Sequence, residues 1–104
     1  MQWTDFDSGR AIGQIGTESG VIIRDCAHPL GARITLETGG VTPYAITCGI
    51  YGYLVHTRHF SAESEAHREF DLMAAALDSI LQAFEDDDDD DLDDPAARFI
   101  ERFP

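Results

Sequence analysis

The sequence predicts an α+β fold: an antiparallel four-stranded β-meander packed on one face by a long amphipathic helix, with a short C-terminal helix. Three observations carry this. Residues 21–60 contain short apolar runs broken by Gly- and Pro-bearing turns. Residues 61–84 repeat apolar side chains at helical spacing. The dipeptide Asp94–Pro95 then opens a second, shorter apolar pattern. At 104 residues the chain is read as one small domain.

Residues 1–20 form an N-terminal segment in which Trp3 and Phe6 offer apolar cover. A short strand is expected around 11–15, weakened by the glycines nearby. In the sheet region 21–60, "VIIRDCA" and "ARITLET" flank "HPLG", where Pro29 and Gly31 suit a four-residue turn. Closing this hairpin at Ala27 opposite Ala32 pairs Asp25 with Ile34, Ile23 with Leu36 and Val21 with Thr38. Val21, Ile23, Ala27, Ala32, Ile34 and Leu36 then share one apolar face, with Asp25 the odd residue on it. In "YAITCGIYGYLVHTRHF", Gly49 and Gly52 predict a hairpin folded at 49–52 rather than one bent strand. Tyr44, Ile46, Cys48, Tyr53 and Val55 continue the buried face.

An apolar sheet face requires a cover, and residues 61–84 supply it. Ser61 is placed as N-cap, and Glu63 and Glu65 sit where the helix dipole favours acid. Ala66, Phe70, Met73, Ala74, Leu77, Ile80, Leu81 and Phe84 form one stripe of roughly 120°, leaving Leu72 off it. Residues 85–94 carry nine carboxylates. Consecutive aspartates are poor helix formers and repel one another at the negative end of the preceding helix, so this acidic loop ends it. Asp94 as N-cap and Pro95 at the first helical position start the short helix of 95–104, which presents Ala96, Phe99, Ile100 and Phe103.

The net charge of −13 is unevenly spread. Residues 1–84 hold ten acids against five arginines, and most of the remaining negative charge lies in 85–94. Such a chain repels phosphate backbones, so no nucleic-acid partner is expected. No apolar run approaches membrane-spanning length and no secretory leader is recognisable, so neither a membrane nor export is expected. All seven basic side chains are arginine, which removes lysine Schiff-base chemistry. Cys26 and Cys48 make no disulfide framework, and the default compartment is cytoplasmic.

No motif specifies a cofactor or a metal site: there is no phosphate loop, nucleophile elbow, zinc-ligand spacing or EF-hand loop. His56 and His59, three apart on a strand, point to opposite faces. Cys26 with His28 is the one thiol–imidazole spacing that suits an enzyme. The richer constellation is the sheet face away from the helix. In the register above it carries Arg24, Arg33, Thr47, His56 and Arg58 among apolar residues, a surface suited to an anion or a partner. Asp87, Asp88, Asp89 and Asp90 lie at the centre of an acidic run that reads as a solvated linker, as a docking segment for a basic partner, or as a segment lying back against Arg24, Arg33 and Arg58.

The expectation for function is a non-catalytic protein-interaction module, inhibitor- or immunity-like, forming a homodimer that buries the open sheet face. A small-ligand or anion-binding domain using the Arg/His/Thr face is the alternative. An enzyme using Cys26 or the histidines is the third reading.

Overall fold

A computed structural model describes residues 3–85 and 94–104. The fold is α+β, with five antiparallel strands in one sheet rather than four, ordered β1-β2-β3-β4-β5. The strands are β1 (Thr4–Asp5), β2 (Val21–His28), β3 (Ala32–Thr38), β4 (Tyr44–Ile50) and β5 (Leu54–Phe60). Two helices follow, α1 (Glu63–Glu85) and α2 (Pro95–Arg102). The extra strand lies upstream of the place expected. Thr4 and Asp5 pair with Ala27 and Cys26, whereas the 11–15 stretch contributes only a single bridge from Ile15 to Val21.

Both helices pack on the same face of the sheet. Ala66, Phe70, Met73, Ala74, Leu77 and Leu81 of α1 bury against Ala32, Ile34, Leu36, Ile46, Cys48 and Ile50, as the helical stripe requires. Phe84, expected on that stripe, is largely exposed at the helix end, where it meets the Tyr53 ring edge-on. The α1 helix begins at Glu63, so its first turn closes on Ala62, whose carbonyl accepts from the Ala66 N–H, and not on Ser61. For α2 the expected start holds: the Asp94 side chain accepts from the Ala96 N–H at 3.0 Å and Pro95 opens the helix. Phe99 and Phe103 bury into the same core, while Ile100 faces outward.

The register of the first hairpin differs from expectation by one residue, and the reason is local. His28, not Ala27, pairs with Ala32, leaving a three-residue loop. The Gly31 N–H donates to the His28 carbonyl at 3.0 Å with Gly31 at φ 108°, the left-handed position such a loop demands and a glycine takes without strain. Asp25 therefore pairs with Thr35 on the far face, and Arg24, Cys26 and His28 turn toward the helices. A bulge at Ile23 absorbs the slip, so Val21 still pairs with Thr38 as expected. The 44–60 stretch is a hairpin, closed by Ile50 opposite Leu54 around Tyr51, Gly52 and Tyr53. That odd-numbered loop places Leu54, His56, Arg58 and Phe60 on the helix side and leaves Val55 outside, where Tyr53 and Val55 had been expected inside.

Candidate functional site

On the helix side, Arg24, His28, His56 and Arg58 each bond a group of the helices or of the residues that end them. Arg24 donates to Asp71 at 3.0 Å, lies within 3.3 Å of His67 Nδ1, and stacks 3.9 Å over the Phe70 ring. Arg58 donates to Glu69 at 2.8 Å and to the Pro104 carbonyl at 3.1 Å. His56 Nε2 donates to the Phe103 carbonyl at 2.5 Å, tying β5 to the end of α2. His28 is fully enclosed. Its Nδ1 accepts from the Leu30 N–H at 3.1 Å, so its proton sits on Nε2 and is donated to Asp78 at 2.6 Å.

These pairings decide the fate of the expected site. Arg24, His56 and Arg58 lie on the face opposite Arg33 and Thr47, because both hairpin loops are odd-numbered. The five residues are not one constellation. Among the described residues Arg24, Arg33 and Arg58 each hold a carboxylate of the fold, from Asp71, Asp25 and Glu69 respectively. Asp87, Asp88, Asp89 and Asp90 lie outside the described residues. The helix acids were the missed partners. Asp71 and Asp78, seven residues apart, lie on one side of α1, a spacing legible in the sequence.

Thiol and imidazole chemistry has little to work with on this face. Cys48 sits opposite His56 across the β4–β5 pair, but burial pushes its thiol up to about 12. Burial also raises the Cys26 thiol, with Arg24 only partly offsetting it. Both ring nitrogens of His28 are engaged, which leaves no lone pair for a substrate proton. Among the described residues, no group of three or more His, Cys, Asp or Glu is arranged to hold a metal, and no buried side-chain polar atom lacks a partner.

The open face of the sheet is different. Residues 11–20 fold across part of it, held by two-way bonding to Ile22: the Gly13 N–H donates to the Ile22 carbonyl, and the Ile22 N–H to the Gln14 carbonyl. The anchor is Glu37, almost fully buried, whose carboxylate accepts from the backbone N–H groups of Glu18 and Gly20 at 3.0–3.3 Å. The segment passes so close that a Cβ on Gly16 would stand 2.3 Å from that carboxylate. Between this segment and the β4–β5 hairpin lies a cleft of about 580 Å³. Its floor includes Thr35, Thr47 and Gly49, its wall Tyr51 and Val55, and Arg33 stands at one side.

Arg33 is held from behind. Its Nε and Nη2 donate to the two oxygens of Asp25 at 2.9 and 2.7 Å, and its plane stacks 3.7 Å over the Phe6 ring. Asp25 is buried, and its hydrogen bonds raise the Arg33 pKa above its ordinary value. The odd acid of the first hairpin thus has a partner that the sequence register hid.

No family model matches the chain, and no curated protein or solved structure is significantly similar to it.

Proposed function

We propose that the protein is a non-catalytic interaction module, inhibitor- or immunity-like, that docks a partner through the open face of its sheet. One observation carries the reading: Ile15, Tyr51 and Val55 are 69%, 67% and 79% exposed around the cleft, on the sheet face that neither helix covers. Large apolar side chains grouped on one rim are a contact surface in waiting, whereas scattered ones are ordinary. A second copy of the chain is one such partner, since a two-layer domain gains most by burying its uncovered sheet face. The two cysteines are unpaired, which fits a reducing compartment such as the cytoplasm.

The test compares the full chain with Val55→Arg, which places a charge at the centre of the rim. Both are used as bait for proteins of the source cell and both are run in sedimentation velocity. Loss of a bound protein, or of self-association, with an unchanged melting temperature supports the reading. Identical behaviour of the two chains removes it.

A second reading, a small-ligand domain, is favoured by the cleft volume, which falls within the roughly 300–1,000 Å³ of small-molecule sites. Of the residues expected to serve it, Arg33 and Thr47 line the cleft.

A further inference from the structure

We propose that the cleft on the open sheet face binds a small uncharged molecule that offers a hydrogen-bond acceptor, such as an amide oxygen, on an apolar planar body. The inference rests on the reading of that face as the working surface, and it names an occupant for the concave part.

The acceptor preference comes from Arg33. A guanidinium has five N–H groups in a fixed fork. Asp25 engages the Nε and Nη2 ends, so N–H groups remain for a ligand, and the side chain is still 34% exposed. Asp25 behind it and Phe6 beneath it fix where those donors point. A donor locked by buried supports loses little freedom when a ligand arrives.

The preference for a neutral molecule comes from the charge count of the cleft. The Arg33 charge is already matched by Asp25 behind it, and Glu37 adds a carboxylate to the lining. Glu37 is almost fully buried and already accepts from the Glu18 and Gly20 N–H groups, so it offers little to a ligand donor. An anion entering here meets no net positive charge, in a chain of net charge −13. A cation faces the donor edge of Arg33 and finds both nearby carboxylates enclosed and already bonded, Asp25 to Arg33 and Glu37 to backbone N–H groups. A neutral acceptor meets the donors and neither penalty.

The apolar, flat body follows from the walls and floor. The floor is a pleated sheet surface bearing Thr35 and Thr47, with Ile22 and Gly49 adding apolar lining. The Thr47 hydroxyl lies 3.4 Å from Thr57 and 3.5 Å from Thr17, so it can turn to donate or accept. Tyr51 and Val55 on one side and Ile15 on the other stand open to cover such a body.

The experiment titrates the ¹⁵N-labelled full chain in parallel with benzamide, benzoate and benzamidine, three probes of one shape and three charges. Benzamide should give saturable amide shifts at Thr35, Thr47, Tyr51 and Val55, binding several-fold more tightly than either ion. Thr47→Val, nearly the same size, should weaken it while leaving the melting temperature close to the parent's. Tighter binding of benzoate or benzamidine, or shifts elsewhere on the molecule, overturns the assignment, and so does the lack of any saturable shift. If no probe binds but Val55→Arg still abolishes docking, this inference falls and the docking reading stands. If benzamide binds as described and Val55→Arg changes no association, the docking of a protein falls instead.

Discussion

Arg33 and Asp25 form the pair whose removal separates charge from packing most cleanly. Asp25 is enclosed, so Arg33→Ala leaves a buried carboxylate without its counter-ion, an error that costs about 3 kcal/mol when the partner is itself only partly buried. The double change Asp25→Asn with Arg33→Gln removes both charges and should cost clearly less than the single one in urea unfolding. Equal losses would mean that Arg33 matters only as a lid over Phe6. A second residue-scale prediction concerns acid. The Arg58 hydrogen bond, helped by its charge, holds the Glu69 carboxyl below the usual glutamate range. A carboxyl with a depressed folded pKa stabilises the fold above its unfolded pKa of about 4.3 and loses that contribution as pH falls through the folded value. The melting temperature of Glu69→Gln should therefore lie below that of the parent at neutral pH. The difference should close as the pH drops below about 4.3. A difference that persists unchanged into strong acid would show that the pair contributes through shape alone.

At the scale of elements, α2 is attached by its two ends. At its start, the Asp94 carboxylate accepts from the Ala96 N–H and from the Tyr53 hydroxyl, and the same hydroxyl accepts from Ala96. At its finish, the Phe103 carbonyl accepts a hydrogen bond from His56 Nε2. Between them Phe99 and Phe103 bury. Asp94→Ala should therefore lower stability by about 1 kcal/mol, the usual worth of an N-cap. It should also raise hydrogen exchange in α2 more than in α1. Equal protection in both helices would mean that α2 is held by its aromatic residues alone. The other inter-element ties follow the same pattern: the Trp3 indole N–H reaches the Ala74 carbonyl at 3.2 Å, so even the N-terminal strand is pinned to the middle of α1.

At the scale of the whole molecule, twenty acids face seven arginines, and the arginines of the sheet are already matched by acids of the fold. The excess negative charge has no internal partner among these groups and repels itself. Raising the salt from about 0.01 M to about 1 M shortens the screening length from roughly 30 Å to 3 Å. The melting temperature should rise, because the dispersed repulsion is screened more than the partly enclosed pairs. A fall would place more of the stability in exposed pairs such as Arg24–Asp71 than the fold suggests.

The sequence by itself determined the class of the fold, the long helix with its apolar stripe, the second hairpin, and the Asp94–Pro95 start of α2. Each is written in short-range periodicity or capping chemistry, which needs no knowledge of distant residues. It placed the inward faces of β3 and β4 but not those of β5 and the second half of β2. One residue more or less in a loop turns every side chain over, and Gly31 and Gly52 each close a three-residue loop whose parity the flanking pattern leaves open. Only the tertiary structure decided that Arg24, His56 and Arg58 meet the helices while Arg33 and Thr47 meet solvent. Asp71 and Glu69 of the long helix meet Arg24 and Arg58, and the Phe103 carbonyl meets His56. These distant partners offset the burial of three polar strand residues that alternation alone would have sent outside.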